Sequence, residues 1–122
     1  MALKILLVDD EPDIIEVVQD RLEAYGFIVA TAGTGLEALK KLSAERFDGV
    51  FLDVKMPEMG GIETLEEIRK GNKEMPVVII TSSSTREAAV EAIAKGASEY
   101  ILKPFEWEEL KGKIQKVFNI IL

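Results

Sequence analysis

Short apolar runs alternate along the chain with longer segments in which apolar residues recur every three or four positions. The first pattern is typical of buried strands and the second of amphipathic helices, so their alternation predicts βαβ units around a mainly parallel sheet. We expect five strands, at residues 4–8, 27–31, 49–52, 77–81 and 99–102. The third and fourth are apolar throughout, which predicts central strands covered by helices on both faces.

Five helices are predicted between and after these strands. The first follows Pro12 and ends at Gly26, because a proline suits the first turn of a helix and a glycine its end. The spacing of Thr34 with Glu37, and of Ser84 with Glu87, predicts capping boxes that begin the second and fourth helices. The third spans residues 62–70, and the fifth follows Pro104 with an acidic first turn. Its predicted buried stripe is Trp107, Leu110, Ile114, Val117 and Ile121.

The composition narrows the class of protein. A length of 122 residues with 48% hydrophobic and 30% charged residues predicts one compact domain, spanning 1–122. The net charge of −7 disfavours direct nucleic-acid binding, and no apolar stretch is long enough for a membrane span, so the cytoplasm is the expected location. Because the chain has no cysteine and no histidine, thiol chemistry, histidine acid–base catalysis and the usual zinc sites are excluded. A metal would have to be held by oxygen.

Charged residues follow three of the predicted strands, at the point where each strand ends. Asp9 and Asp10 follow the first strand, Asp53 follows the third, and Lys103 follows the fifth. The carboxyl ends of parallel strands meet at one edge of the sheet, where α/β proteins bind their ligands. Two carboxylates about 5 Å apart repel by roughly 3 kcal/mol at an effective dielectric constant of 20. Mg²⁺ and the Lys103 ammonium are the candidates to offset that repulsion.

Each of these residues, taken singly, also has an ordinary structural interpretation. The acidic pair could be a solvated turn before a helix, Asp53 a turn cap, and Lys103 a solvated charge. Thr81, which closes the fourth strand, could simply begin a polar loop, and Tyr100 could be a strand aromatic that packs on a neighbour. The functional interpretation depends on their common order and position.

Taken together, the acidic pair, the lone aspartate, the threonine and the Lys-Pro pair make the chain resemble the receiver domain of bacterial two-component response regulators. It is similar to the single-domain regulators of chemotaxis and sporulation. The matching segments are residues 6–12 (LLVDDEP), 52–57 (LDVKMP), 80–82 (ITS), 96–97 (GA), Tyr100 and 103–105 (KPF).

The resemblance implies a flavodoxin-like (βα)5 fold, a doubly wound five-stranded parallel sheet of strand order 2-1-3-4-5 with helices on both faces. It implies that Asp53 is the phosphoryl acceptor, and that Thr81 and Lys103 bind phosphoryl oxygens. Mg²⁺, for which Mn²⁺ can substitute, would be held by Asp9, Asp10, Asp53 and the backbone carbonyl of Lys55. It also implies a cis Lys103–Pro104 bond, although X-Pro bonds are usually trans.

The implied protein is not a conventional enzyme, since it would catalyse only its own phosphorylation and dephosphorylation. The chain contains no histidine, so the phosphodonor would be a sensor histidine kinase or a phosphotransfer protein. A switch of Thr81 and Tyr100 would then alter the face formed by the fourth helix, fifth strand and fifth helix. That face would act on an output protein or domain. Two questions are left open by the sequence: whether phosphorylation forms a homodimer, and whether a further domain follows Leu122.

One departure from the family pattern and three rival functions remain. Gly60-Gly61 stands where the family often has Asp-Gly, which removes a turn-stabilising carboxylate, and Lys55 and Ser83 are expected to tune the acyl-phosphate lifetime. The rivals are a receiver that works without phosphorylation, a Mg²⁺-dependent phosphatase and a flavin-binding protein. The intact acidic set disfavours the first. Against the phosphatase, the chain lacks the second carboxylate, two residues after Asp53, that one large phosphatase class uses. Against the flavin-binding protein, Asp9 to Glu11 would repel the flavin phosphate.

Overall fold

Five strands and five helices alternate along the chain in the computed structural model, which describes residues 2–55, 59–82 and 86–122. The strands are β1 (Lys4–Val8), β2 (Ile28–Ala32), β3 (Gly49–Leu52), β4 (Val77–Thr81) and β5 (Glu99–Leu102). The helices are α1 (Pro12–Ala24), α2 (Gly35–Ala44), α3 (Gly61–Gly71), α4 (Arg86–Ala94) and α5 (Trp107–Phe118).

The strands form one sheet in the order β2-β1-β3-β4-β5, and every pair of neighbours is parallel. Alternate residues of each strand face opposite sides of the sheet, where they form two separate apolar clusters. One cluster packs against α1 and α5, and the other packs against α2, α3 and α4. Because β3 and β4 lie inside the sheet and are covered on both faces, all their residues are buried. The predicted fold, strand order and central strands are confirmed.

The ends of three elements differ from the sequence expectation, since α1 ends at Ala24, before Gly26, and β2 and α3 begin at other residues than predicted. β2 begins at Ile28, not at Phe27, because the backbone N–H of Phe27 donates to the carbonyl of Leu22 and closes the turn after α1. The Phe27 side chain is nevertheless buried. α3 begins at Gly61, one residue earlier than predicted, and includes Gly71.

The cap of α2 forms at the predicted residues. The Thr34 hydroxyl accepts from the backbone N–H of Glu37 at 3.1 Å. The Glu37 carboxylate accepts in return from the N–H of Gly33 at 3.2 Å, not from that of Thr34 as in a standard capping box. In the described part of α4 the helix begins at Arg86, and the predicted cap residue Ser84 lies outside the described residues.

The buried stripe predicted for α5 is correct in its first part and wrong at its end. Leu110 and Ile114 are fully buried, whereas Ile121 is 96% exposed. The helix ends at Phe118, and the left-handed backbone of Asn119 (φ 54°) stops the helical period before it reaches Ile121. Trp107 is half-buried, packs edge to face on Phe105, and contributes to the apolar cluster beneath α1 and α5.

Among the described residues, no helix combines the length and the apolar character needed to cross a bilayer.

Candidate functional site

Asp9, Asp53 and Lys103 lie at one edge of the sheet because each extends the hydrogen-bond ladder by one residue beyond its strand. The N–H of Asp9 donates to the carbonyl of Ala32 at 3.1 Å, and that of Asp53 donates to Val8 at 3.0 Å. The N–H of Lys103 donates to the carbonyl of Thr81 at 2.8 Å. The backbone of each residue is therefore fixed by a neighbouring strand, while its side chain projects beyond the sheet.

Two of these residues, Asp9 and Asp53, each form a local turn of the same type. Oδ1 of Asp9 accepts from the N–H of Glu11 at 2.9 Å, and Oδ1 of Asp53 accepts from the N–H of Lys55 at 3.0 Å. Such a bond to the amide two residues later is the Asx turn, which holds an aspartate side chain against its own backbone. With Oδ1 used locally, Oδ2 of each aspartate is directed to the interior of the site.

Lys103 bridges the two aspartates through these Oδ2 atoms. Its Nζ lies 2.9 Å from Oδ2 of Asp9 and 3.6 Å from Oδ2 of Asp53. The Lys103 side chain is only 10% exposed, so burial by itself would lower the pKa of its ammonium. The hydrogen bond to Asp9 and the charges of Asp53, Asp9 and Glu11 outweigh burial and raise the pKa of Lys103. The group is a fixed cation at neutral pH.

Asp53 is a buried carboxylate of this group. Its side chain is 2% exposed, and this burial is the main reason why the pKa of Asp53 is raised above its ordinary value. The N–H of Lys55 and the charge of Lys103 act in the opposite direction, whereas the charges of Asp9 and Asp10 raise the pKa further. A buried aspartate with a perturbed pKa beside a lysine is typical of a functional site.

Among the described residues, four carboxylates meet at this edge, and one of them, Glu11, was not among the predicted ligands. One carboxylate oxygen from each of Asp9, Asp10, Glu11 and Asp53 lies within 4.8 Å of the other three. Asp10 and Glu11 are exposed, whereas Asp9 and Asp53 are buried. With Lys103 as counter-ion, the group keeps a formal excess of three negative charges. A set of oxygen donors with uncompensated negative charge suits a hard divalent cation.

The signal for Glu11 was present in the sequence as the third acidic residue after β1. Glu11 lies three positions after Val8, the last residue of β1, so strand pairing does not by itself place its side chain at the edge of the sheet. The Asx turn on Asp9 changes this, because it folds the chain back and brings the Glu11 carboxylate to the acidic group. Sequence spacing alone does not reveal such a turn.

The structure gives the positions of most other predicted site residues. Thr81 is fully buried at the end of β4, where it pairs with Leu102, and Tyr100 is half-buried on β5 opposite Ile79. Lys55 is exposed directly after Asp53 and Val54. The Lys103–Pro104 peptide bond is cis. The predicted motif residues Met56 and Pro57 and the predicted tuning residue Ser83 lie outside the described residues.

A doubly wound parallel sheet, with an acidic carboxyl edge at which Lys103 bridges two aspartates, defines the class of α/β domains that bind their ligands at the carboxyl ends of the strands. The comparisons with known proteins identify the family within that class. The family model of the response regulator receiver domain matches residues 5–115. This chain therefore belongs to the receiver domains of two-component response regulators, and the resemblance seen in the sequence is confirmed.

Similar proteins agree with this assignment. The transcriptional regulatory protein ZraR of Klebsiella oxytoca is 43% identical over 107 residues, which cover 88% of this chain and 24% of that protein. The structure of chemotaxis protein CheY4 from Vibrio cholerae matches with a TM-score of 0.90 and 36% identity, over 96% of this chain and 99% of that chain.

The response regulator TrrA of Thermotoga maritima, solved in complex with Mg²⁺ and BeF, matches with a TM-score of 0.86 and 39% identity, over 96% of this chain and 99% of that chain. This chain spans between a quarter and a half of the length of the curated regulators that it matches. Receiver domains of this family work with histidine kinases and output domains.

Proposed function

We propose that Asp53 accepts a phosphoryl group in a Mg²⁺-dependent reaction. The observation that carries this proposal is the Lys103 ammonium, held between Oδ2 of Asp9 and Oδ2 of Asp53 at the acidic edge. In the reaction, a carboxylate oxygen of Asp53 forms a bond to phosphorus as the bond from phosphorus to the donor breaks. The electron pair of that broken bond leaves with the donor, and the product is an acyl phosphate.

The residues of the acidic edge fit Mg²⁺, as the solved complex of the similar TrrA with Mg²⁺ and BeF also supports. The chain has no histidine or cysteine, so oxygen is the donor that it offers, and the four carboxylates have more negative charge than Lys103 balances. Asp9, Asp10, Asp53 and the backbone carbonyl of Lys55 are the proposed ligands, and Mn²⁺ can substitute. When bound, the ion supplies positive charge for the phosphoryl oxygens.

The chain's own residues perform the remaining tasks. The N–H of Lys55 holds Oδ1 of Asp53, so the carboxylate has one orientation when a phosphodonor arrives. Lys103 is a fixed cation close to that carboxylate and can exchange its contact with Asp53 for an oxygen of the phosphoryl group. Thr81, at the end of β4, is the proposed hydroxyl partner of a second phosphoryl oxygen.

The phosphodonor in this proposal is a sensor histidine kinase or a phosphotransfer protein. A groove beside the site supports docking of such a protein, because its lining is largely apolar and includes Lys103 of the site. Its lining includes Ile14, Val17, Val18, Pro104, Phe105 and Trp107. Val17 is 51% exposed, so the groove offers apolar area next to the phosphoacceptor.

A switch through Thr81 and Tyr100 completes the proposal. Thr81 and Ile79 lie on the same face of β4, and Tyr100 pairs with Ile79, so the two switch residues share the face covered by α4. Val90 and Ile93 of α4 are exposed apolar residues, and so is Leu102 of β5, which pairs with Thr81. This surface is the proposed contact with an output protein or domain, or with a second copy after phosphorylation.

The test is intact-mass measurement after incubation with acetyl phosphate. Wild type with Mg²⁺ is expected to gain one phosphoryl group, and the gain should disappear with EDTA and in Asp53→Asn. Asp20→Asn, an exposed aspartate on α1, is the matched control and should behave like wild type. Gain of the group on Asp53→Asn would refute the assignment of Asp53. Continuous hydrolysis of a phosphate ester by wild type would instead favour the phosphatase alternative.

A further inference from the structure

Gly61, the first residue of α3, lies directly against the backbone that carries Asp53. A Cβ atom at residue 61 would lie 2.3 Å from the carbonyl oxygen of Asp53 and 2.5 Å from the Cα of Val54. Side-chain atoms are not the obstacle, so no rotamer change can relieve the contact. The N–H of Gly61 also donates to the carbonyl of Val54 at 2.9 Å. Only glycine permits this approach.

The neighbouring glycine is under no such constraint. A Cβ at Gly60 would meet its nearest atom, the carbonyl oxygen of Val54, at 3.8 Å, which is an ordinary van der Waals distance. Gly60 has an extended backbone with φ −68°, which any residue adopts. The two adjacent glycines therefore differ in one respect, namely contact with the backbone of Asp53.

We propose that Gly61 is a positioning residue for Asp53: by bringing the start of α3 against the Asp53 and Val54 backbone, it fixes where the phosphoacceptor carboxylate stands relative to Lys103. This inference rests on the proposed function for its activity readout. The geometric part of the inference is independent of the proposed function, because the position of Asp53 can be measured without phosphorylation.

Three backbone contacts hold Asp53 in position, and Gly61 supplies one of them. The N–H of Asp53 donates to Val8 on β1, and the N–H of Lys55 donates to Oδ1 of Asp53. The third contact is made by α3, whose first residue, Gly61, packs against the carbonyl group of Asp53. A methyl group at residue 61 would have to move either α3 or residues 53–54. The second movement changes the position of the Asp53 carboxylate relative to Lys103, whose Nζ lies 3.6 Å from Oδ2 of Asp53 in the native site.

The experiment compares Gly61→Ala with two matched variants. Gly60→Ala adds the same methyl group one residue earlier without a clash. Gly49→Ala adds it at the start of β3, where it would lie 2.5 Å from the Phe118 ring. That position is about 13 Å from Asp53 along the strand, so this variant is destabilised without disturbance of the site. Urea unfolding measures the stability of all four proteins.

Two readouts then separate positioning from stability. The first is the rate of phosphorylation by acetyl phosphate with Mg²⁺, which should fall at least about tenfold in Gly61→Ala, because displacements of about 1 Å cost reactions up to about 100-fold. The second is the NMR signal of the Lys55 amide without Mg²⁺, since that amide donates to Oδ1 of Asp53. It should shift in Gly61→Ala, and it should keep its wild-type position in Gly60→Ala and Gly49→Ala.

Each outcome decides the matter. A wild-type rate with an unshifted Lys55 amide in Gly61→Ala overturns the proposal, and so does an equal loss of rate in Gly49→Ala. If wild type gains no phosphoryl group, the proposed function fails, but the Lys55 amide still tests the position of Asp53. If Gly61→Ala does not fold even in a stabilising osmolyte, Gly61 serves the fold, and its role as a positioning residue for Asp53 is wrong.

Discussion

The ammonium of Lys113 on α5 lies 5.3 Å from the centre of the Tyr100 ring on β5. Glu99 holds it there, since Oε1 of Glu99 lies 3.3 Å from Lys113 and Oε2 lies 3.2 Å from Lys116. Burial would raise the pKa of Glu99, but hydrogen bonds from the Tyr100 N–H, Lys116 and Lys113 outweigh it and lower the pKa. Glu99 is therefore a fixed anion that positions a cation on the ring of the proposed switch residue.

Replacement of Lys113 should cost more stability than replacement of Lys116, although both pair with Glu99. Lys113→Met removes an ion pair and a cation–π contact of about 0.5–1 kcal/mol, whereas Lys116→Met removes only an exposed pair worth about 0–1 kcal/mol. We expect urea unfolding to show the larger loss for Lys113→Met, with a change in near-ultraviolet circular dichroism from Tyr100. Equal losses would mean that the ring contact contributes nothing.

Asp53→Asn should make the metal-free domain more stable at neutral pH. The raised pKa of Asp53 means that the folded state favours its protonated form, so the ionised carboxylate opposes folding. Asparagine keeps an oxygen for the Lys55 N–H, and Lys103 keeps Asp9 as a partner. Removal of one charge from a crowded acidic group is expected to gain about 0.5–2 kcal/mol of unfolding free energy.

The sign of this effect fixes its pH dependence. For a carboxyl with a raised pKa, the stability from protonation is complete below the ordinary value of 3.8 and is lost as the pH rises through the folded-state pKa. The advantage of Asp53→Asn over wild type should therefore be absent below pH 3.8, grow as the pH rises from 3.8 through the raised pKa, and stay constant above it. Urea titrations between pH 4 and 8 with EDTA check this. An advantage that shrinks as the pH rises would contradict it.

The strand ends could be predicted from the sequence because they depend on local pattern. Asp9, Asp53 and Lys103 each follow an apolar run, and parallel pairing necessarily brings such ends together. The same logic fails for Ile121, since a helical period predicts burial only while the helix lasts, and α5 ends at Phe118. Where an element stops depends on one backbone conformation, which periodicity does not contain.

The contacts that refine the site could not be predicted in this way. Glu11 joins the acidic group through an Asx turn on Asp9, and the packing of Gly61 on Asp53 joins the start of a helix to the end of a strand. Both depend on three-dimensional approach and not on residue pattern. The resemblance to receiver domains pointed to the Gly60-Gly61 pair, but only the structure separates the roles of the two glycines.

Alanine at Gly112 should stabilise the domain, and alanine at Gly26 should destabilise it. Both glycines have open space around an added Cβ. Gly112 lies within α5, where alanine is better than glycine by about 0.8–1 kcal/mol. Gly26 has φ 99°, outside the range that an alanine readily adopts, so the loss there is expected at about 1–2 kcal/mol. Urea unfolding of the two variants checks both signs, and a gain at Gly26 would contradict the backbone explanation.

Mg²⁺ should raise the unfolding free energy of the domain, and Glu11 should contribute to that effect. A ligand that binds only the folded state at a concentration of 100 Kd adds about 2.7 kcal/mol. Asp10→Asn should remove most of the gain, because Asp10 is a proposed ligand. Glu11→Gln should reduce it by a smaller amount, since its carboxylate lies in the acidic group and contributes negative charge.

Urea unfolding with Mg²⁺, and with Na⁺ at matched ionic strength, measures the gain for each variant. Glu16→Gln, an exposed carboxylate on α1 outside the acidic group, is the matched control and should keep the wild-type gain. Because each variant is compared with itself in Na⁺, any change that it makes to metal-free stability cancels. An equal gain for Glu11→Gln and Glu16→Gln would exclude Glu11 from the metal site, and an undiminished gain for Asp10→Asn would locate the ion elsewhere.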